Sequence, residues 1–252
     1  QIRGDGRTLT ASLSGPVEGF GKNGPGARQG RIAFDAKATR SLSIWTVDLD
    51  GQVGAAGFRS PELNVIDLTG RLKGRARVGT LPNVARINSG AKAPAIADLA
   101  NWDANLTFNG SVERLSAQSL GIRAGEISIP ITARGDGRSA EGNAIVALVA
   151  ETLAYDDSHV DDIRADLPIR FRSRAGQAPL WQADSDLNAT AASLTSGESF
   201  LEGLQIRGPV QAVPSDDGLG ILIRGDSCLA VSAQQGRFPG DASVGPVKTS
   251  FC

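Results

Sequence analysis

Apolar and polar residues alternate one by one through most of the chain, in short runs separated by turn-forming residues. The run Ile127–Ile131 is typical, since its isoleucines are separated by Ser128 and Pro130. Strict alternation places successive side chains on opposite faces of a β-strand. Asp50-Gly51 is a hairpin signal, and a Pro-Ser-Asp-Asp-Gly loop at 214–218 separates two later runs. The pattern predicts an all-β fold of about fifteen strands, arranged as one long, curled antiparallel sheet with a shared apolar face.

The sheet is predicted to be continuous. No charge run, linker or low-complexity tract divides the chain, so we expect residues 1–252 to form one repetitive unit. About fifteen strands at a spacing of ~4.8 Å would extend roughly 70 Å, and an open sheet of that width normally curls or folds over on itself. Pro130 predicts a sheet edge or a bulge, and the apolar stretch Ala144–Ala150 predicts a buried strand or a seam.

One segment departs from the alternation. Ile96, Leu99 and Trp102 recur at helical spacing behind Pro94, and a proline is common at the first position of a helix. The sequence therefore predicts one short helix over residues 94–102.

Charge and composition disfavour several classes of function. The chain has 26 basic and 27 acidic residues, so no strong overall field favours nucleic acid or an anionic membrane surface. Aromatic residues make up 5% and histidine occurs once, so stacking platforms for single-stranded nucleic acid and imidazoles for acid–base or metal chemistry are scarce. We predict a protein that is not an enzyme, with no cofactor, no metal site and no nucleic-acid partner.

The two cysteines and the lack of methionine bear on the setting of the chain. Cys228 and Cys252 lie near its end, and a disulfide that closes this terminal group of strands is expected in an oxidising compartment. Spacing alone does not establish geometry, so two unrelated buried thiols stay open as the alternative. Because the chain has no methionine and begins in mid-pattern at Gln1, we expect a segment of a longer protein.

Two motifs have competing interpretations. Arg-Gly-Asp occurs at 3–5, 134–136 and 224–226, which is compatible with adhesion loops, but Gly-Asp-Gly is also good turn chemistry and we favour hairpin turns. The segment Asp156–Asp162 gathers four carboxylates around the only histidine. It lacks the central glycine and final glutamate of an EF-hand loop, so a solvated acidic turn is favoured over a calcium site.

The pattern as a whole resembles a known family. Short alternating strands, glycine-rich turns, the segment Leu201–Val210 and the cysteine-bracketed end Cys228–Cys252 are similar to AsmA-like envelope proteins, in particular the YdbH- and TamB-like intermembrane phospholipid transport proteins of Gram-negative bacteria. The resemblance implies a periplasmic location and a parent protein held in the inner membrane by an N-terminal anchor that is missing here. It further implies a β-taco, or U-shaped groove, that carries phospholipid acyl chains between the inner and outer membranes. Phospholipids would be the ligands, and inner- and outer-membrane envelope proteins the further partners.

The alternation also predicts which side chains would line such a groove. They are large apolar residues of the alternating runs: Leu9, Leu13, Ile32, Phe34, Ile44, Leu106, Phe108, Ile127, Ile129, Ile131, Leu167, Ile169, Phe171, Ile221 and Ile223. A uniform lining without titratable residues suits a conduit, since each acyl CH₂ hidden from water gains about 0.8 kcal/mol. Periodicity alone favours a β-sandwich or solenoid that buries the same side chains in a closed core, and it is the resemblance that shifts the preference to the open groove. The alternative function is therefore a structural or adhesive β-repeat of a secreted or surface protein, without a lipid groove.

Overall fold

The computed structural model describes residues 1–5, 7–17, 26–27, 30–59, 63–79, 101–117, 120–136, 138–174, 180–215, 218–223, 227–240 and 242–252. All regular structure in these residues is β-strand, as the all-β prediction requires. The strands are, in chain order, β1 (Ile2–Gly4), β2 (Thr8–Val17), β3 (Gly26–Ala27), β4 (Gly30–Ser41), β5 (Ile44–Arg59), β6 (Leu63–Val78), β7 (Trp102–Ala117), β8 (Leu120–Gly135), β9 (Ser139–Tyr155), β10 (Ser158–Arg174), β11 (Trp181–Ser196), β12 (Ser199–Ser215), β13 (Gly218–Ile223), β14 (Leu229–Ala233), β15 (Gln235–Phe238), β16 (Ala242–Val244) and β17 (Val247–Phe251).

These strands form one open antiparallel sheet. From β4 to β12 it is a simple meander, in which each strand pairs with the next one in the chain. β2 extends the sheet beyond β4, β1 pairs with β2, and the short β3 pairs with β5. At the other end, β13, β14 and β15 share the free side of β12, and β17 and β16 pair with β14 and β15. The long strands β5 to β12 have 16 or 17 residues each.

Cross-strand register arranges the residues in rows that run across the sheet. Residues that pair directly share a face, and so do residues two apart in one strand. One row can be followed pair by pair through eleven strands: Ala11, Ala36, Leu49, Gly74, Leu106, Ile131, Ala144, Ile169, Ser185, Val210 and Ile223. We call the face that carries this row the apolar face, and the opposite one the polar face.

Two local predictions were wrong or found no support. The helix predicted at 94–102 is not borne out, since residues 94–100 lie outside the described residues and Trp102 begins β7. Asp50-Gly51 is not a turn, because it lies inside β5. The carboxylate of Asp50 instead forms an ion pair with Arg71 of β6, with nitrogen and oxygen 2.9 Å apart. The pairing of β5 with both of its neighbouring strands therefore overrides the local preference of Asp-Gly for a turn.

The proline at 130 lies in a central strand rather than at an edge. Pro130 pairs with Thr107 of β7, whereas pairing with β9 is interrupted at positions 129 and 130. Proline has no N–H to donate to a ladder, so β8 loses pairing on one side and keeps it on the other. Pro168 and Pro209 take corresponding positions in β10 and β12, which makes every second strand of this region a structural repeat.

A line of unusual backbone conformation crosses the long strands. We call it the crease, and its residues, from β6 to β12, are Asp67, Glu113, Ala124, Glu151, Asp162, Ala192 and Gly203. In the alternate strands β6, β8, β10 and β12 the crease residue has φ of 46°, 47°, 49° and 64°. Pairing is interrupted along the crease and resumes beyond it with unchanged register.

The alternation of faces shifts by one residue at the crease. In β7, Val112 and Leu115 are both half-buried, while Glu113 and Arg114 between them are both exposed. Each strand here turns two consecutive residues outward, much as a β-bulge does, but because neighbouring strands do so together the register survives. The apolar face therefore continues across the crease instead of changing sides.

Ala124 offers a direct test of the crease. A left-handed conformation costs a residue with a Cβ about 1–2 kcal/mol, and glycine avoids that cost. We expect Ala124→Gly to raise the free energy of unfolding by about 0.5–1 kcal/mol in a denaturant titration. Ala133→Gly, at an extended position of the same strand, is the control and should lower it by about 0.5–1 kcal/mol. The same sign of change in both variants would contradict the crease.

The C-terminal strands are joined by the predicted disulfide. Cys228 precedes β14 and Cys252 follows β17, and these two strands pair antiparallel with Leu229 opposite Phe251. The bond between the two cysteines is formed, with their Cα atoms 4.2 Å apart. Register thus brings together the two thiols that the sequence left open as unrelated.

Candidate functional site

The apolar face is the dominant chemical feature of the described chain. Five adjacent rows on this face lie between the crease and the strand ends where Trp45, Trp102 and Trp181 are found. From β2 to β12 the described residues in these rows are Gly, Ala, Val, Leu, Ile and Phe, apart from Ser185. No ionisable side chain interrupts the described part of this surface, which spans roughly 43 Å across the ten strands.

The register brings nearly all the predicted groove residues together. Those on the apolar face within four adjacent rows are Leu9, Leu13, Ile32, Phe34, Leu106, Phe108, Ile127, Ile129, Ile131, Leu167, Ile169, Phe171 and Ile223. Ile221 is described only by its pairing with Ala212. Ile44 does not belong to the set, because it pairs with Ser41 on the opposite face and its side chain is 49% exposed. The residue after it, Trp45, takes the place on the apolar face.

Side-chain burial shows that the apolar face is sheltered but not sealed. Among the described residues no large side chain is completely buried, and the buried apolar residues are mostly alanines. Within β9, Val146 on the apolar face is half-buried, whereas Ile145 and Val149 on the polar face are 52% and 44% exposed. The strand predicted to be buried at 144–150 is therefore sheltered on one side only. A closed sandwich core would bury such residues almost completely.

Aromatic rings lie across glycines on this face. Phe171 is paired with Gly142, and a Cβ added to Gly142 would overlap the Phe171 ring and the backbone oxygen of Thr132. Phe34 covers Gly51 in the same way, where a Cβ would lie 2.9 Å from the ring. Rings laid over glycine restore contacts that the missing side chain cannot make. They also keep the face smooth, because the rings lie along the sheet instead of projecting from it.

The polar face carries ladders of charge between neighbouring strands. In one row Arg77 donates to Asp103 at 2.9 Å, and Arg134 donates to Glu141. Arg172, in the same row, donates to the side-chain oxygen of Gln182 at 2.9 Å. Exposed pairs of this kind contribute little to stability because solvent screens them, so their main effect is to fix register and keep this face in water.

A cavity of 1360 Å³ lies on the polar face and spans β5 to β11. Its charged side chains include Asp48, Arg75, Arg170 and Asp184. Arg75 is already paired with Asp48, with nitrogen and oxygen 2.6 Å apart. No group of three or more His, Cys, Asp or Glu side chains within the described ranges could hold a metal ion.

The described Arg-Gly-Asp copies form turns. Asp5 accepts hydrogen bonds from the backbone N–H groups of Arg7 and Thr8, at 2.9 and 2.7 Å. Asp136 does the same for Arg138 and Ser139, both at 2.8 Å. This is the local pattern by which Asp stabilises turns. Each carboxylate is engaged by backbone N–H groups of the same turn. The third copy, 224–226, lies outside the described residues.

These carboxylates should make the protein sensitive to acid. Backbone hydrogen bonds lower the pKa of Asp5 and Asp136, and the Arg71 guanidinium lowers the pKa of Asp50. A folded-state pKa below the unfolded value of about 3.9 gives stability that is present above that pH and lost as pH falls through the folded value. We therefore expect the thermal unfolding midpoint to fall below about pH 4. Asp5→Asn/Asp136→Asn should show a smaller fall, and an unchanged acid profile would contradict this origin.

The acidic segment 156–162 is divided by the fold. Asp156 lies in the turn between β9 and β10, and Asp162 is a crease residue. Asp161 lies between them and accepts hydrogen bonds from Thr152 at 3.3 Å and Ser193 at 2.8 Å, on the two neighbouring strands. The carboxylates therefore serve separate structural positions.

Comparison with known proteins adds no relative. No family model, no curated protein and no solved structure matches the chain. In the described ranges, no helix is long and apolar enough to cross a membrane.

Proposed function

We propose that this chain is a segment of a lipid conduit, in which phospholipid acyl chains lie against the apolar face while the polar face remains in water. The supporting observation is the uninterrupted apolar surface of five rows, open to a ligand and free of ionisable side chains in its described part. Each acyl CH₂ that such a surface hides from water is worth about 0.8 kcal/mol. Contiguous exposed apolar surface of this extent is rare on soluble proteins without a binding role.

The uniformity of the face favours carriage over storage. A deep local site would hold a lipid at one position, whereas equivalent neighbouring sites let it move with small free-energy steps. Rings that lie over glycines remove protrusions along such a path, as at Phe34 and Phe171. Ser185 is the single polar residue in the described rows, and its hydroxyl has no hydrogen-bond partner.

We further propose that the apolar face is the inner side of a U-shaped groove whose fold line is the crease. Left-handed residues at one register in the alternate strands β6, β8, β10 and β12 would bend the sheet along one line. The groove axis would then follow the rows, from β2 towards β13. The disulfide Cys228–Cys252 supports placing this segment in the periplasm, because disulfides persist in oxidising compartments. The parent would be an inner-membrane protein with partners at both membranes.

Photocrosslinking tests the conduit. A photoreactive amino acid at Phe34, Phe108 or Ile169 should give phospholipid adducts during expression in a Gram-negative host, detected by mass spectrometry. Their chain neighbours Ala33, Thr107 and Arg170 lie on the polar face and are matched controls. Adducts at the first three positions and none at the controls support the proposal. No adducts at any position, or equal labelling of both faces, would overturn it and favour a structural β-repeat.

A further inference from the structure

All three tryptophans of the chain lie in one row at one end of the apolar face. The row runs pair by pair through Trp45, Val78, Trp102, Gly135, Ala140, Ser173 and Trp181. We call this row the tryptophan rim. All three residues are half-buried and stand where the apolar surface gives way to the turns. The Trp102 indole lies over Gly135, with its Nε1 buried and without a hydrogen-bond partner. Tryptophan concentrates at polar–apolar boundaries, above all at membrane interfaces, because it combines a large apolar ring with an N–H donor.

Exposed leucines extend the tryptophan rim outward. Leu42, in the turn before Trp45, is 93% exposed, and Leu180, directly before Trp181, is 62% exposed. Single exposed leucines are ordinary on protein surfaces. Leu42 and Leu180, however, both lie beyond a row of indoles at the same end of the sheet. Apolar side chains are therefore exposed just past the strand ends.

Exposed arginines also gather at this end. Arg7 and Arg138 lie in its turns, and Arg40 and Arg174 lie at the strand ends next to the turns. The Arg40 guanidinium lies 5.9 Å from the centre of the Trp45 ring. The acidic residues described in these turns, Asp5 and Asp136, each accept hydrogen bonds from the backbone N–H groups two and three residues further along the chain. Turns at the opposite strand ends carry Asp156, Asp157 and Glu198 instead. Among these described residues, four arginines stand beside two ionised carboxylates at the tryptophan end, against three carboxylates at the other end.

We propose that the tryptophan rim docks onto the surface of an anionic phospholipid bilayer. Leu42 and Leu180 enter the interface, the indoles lie at the level of the glycerol groups, and the arginines contact lipid phosphates. Apolar insertion together with cationic attraction is the combination that holds peripheral proteins on membranes. The inference concerns an edge of the sheet and is separate from carriage along its face.

Vesicle flotation and intrinsic fluorescence test the docking. The purified chain should float with phosphatidylcholine vesicles that contain phosphatidylglycerol, with a partition coefficient at least about tenfold above that for pure phosphatidylcholine at low salt. High salt should reduce this difference, because it screens the arginines. Since every tryptophan is on the rim, the emission should shift to the blue on binding and be quenched by brominated phospholipids. No flotation at low salt would overturn the proposal.

Matched variants locate the docking surface. Leu42→Ser/Leu180→Ser should reduce partitioning by about tenfold or more, because two apolar side chains no longer leave water. Ile145→Ser, an equally simple change at a 52% exposed position of the polar face, should leave partitioning unchanged. Arg138→Gln/Arg174→Gln should remove most of the dependence on phosphatidylglycerol, whereas Asp156→Asn/Asp157→Asn at the other end should not. Flotation that survives the leucine and arginine changes would place membrane binding elsewhere and overturn the proposal.

The outcome can be separated from that of the conduit. A chain that keeps lipid crosslinks at Phe108 but neither floats nor changes its emission retains the conduit and loses the docking. A chain that floats with vesicles but gives no lipid crosslinks retains the docking and loses the conduit. If the rim joins two copies of the chain instead, sedimentation will show a dimer that the leucine changes dissociate, with no response of the tryptophans to vesicles.

Discussion

Phe108→Glu is expected to reduce the phospholipid that co-purifies with the chain by at least about tenfold, a change of about 1.4 kcal/mol or more in binding free energy. Phe108 lies in the middle of the apolar face, between Leu72 and Ile129 on the neighbouring strands. Its ring lies over Gly70 and Gly110, whose added Cβ atoms would be 3.3 and 3.1 Å away. A carboxylate at this point would have to lose water against acyl chains, which is strongly unfavourable. The measurement is lipid extraction followed by mass spectrometry, normalised to protein.

The control for this experiment lies one residue away. Thr107→Glu adds the same charge to the same strand on the polar face, where Lys73 is the paired residue of β6. It should leave both the lipid content and the β-sheet circular dichroism unchanged. If Phe108→Glu unfolds the chain, Phe108→Gln gives the milder polar substitution and should still lower the lipid content. Normal lipid content in a folded Phe108 variant would show that this face does not hold the lipid.

Removal of the disulfide is expected to lower the stability of the C-terminal strands by about 3 kcal/mol. The bond closes a loop between residues 24 apart in sequence, which restricts the unfolded chain. Cys228→Ser/Cys252→Ser should accordingly increase amide hydrogen exchange in β14 and β17. The β8–β10 region, which the disulfide does not reach, should keep its protection. Hydrogen exchange with mass spectrometry resolves the two regions.

Reduction of the unsubstituted chain provides the control for the serine variant. A reductant should give the unsubstituted chain the same hydrogen-exchange pattern as Cys228→Ser/Cys252→Ser, and it should have no effect on the serine variant itself. Equal protection of β14 and β17 with and without the disulfide would show that strand pairing alone holds this end. In that case the cysteines would not contribute to its stability.

Alternation of residue types was enough to predict the strand content and most of the apolar face. In β8, Ile127, Ile129 and Ile131 stand two apart, and the side-chain period of a strand is two. Their common side therefore follows from local geometry alone. The same reasoning failed at Ile44. At a strand end next to a turn, too few alternating residues are present to show which of two neighbours faces the apolar side. Trp45, one residue later, is the one that continues the face.

The crease could have been found from the sequence but was not. The apolar residues Val112 and Leu115 of β7 are three apart instead of two, and Ala191 and Leu194 of β11 show the same step. Such a step appears as noise in a single strand. It becomes meaningful only when register places the steps of several strands in one line, and register depends on pairing between residues far apart in sequence.

By itself the sequence determined the class of structure, an antiparallel β-sheet with one apolar and one polar side, because these properties follow from local periodicity and turn chemistry. Tertiary structure decided what lies next to what. Pairing between strands turned Asp50-Gly51 into strand, placed Pro130 in the centre of the sheet and joined Cys228 to Cys252. It also gathered tryptophans from positions 45, 102 and 181 into one rim. The physical reason is that hydrogen-bonded register couples residues many positions apart, and the alternation within a single strand carries no information about that coupling.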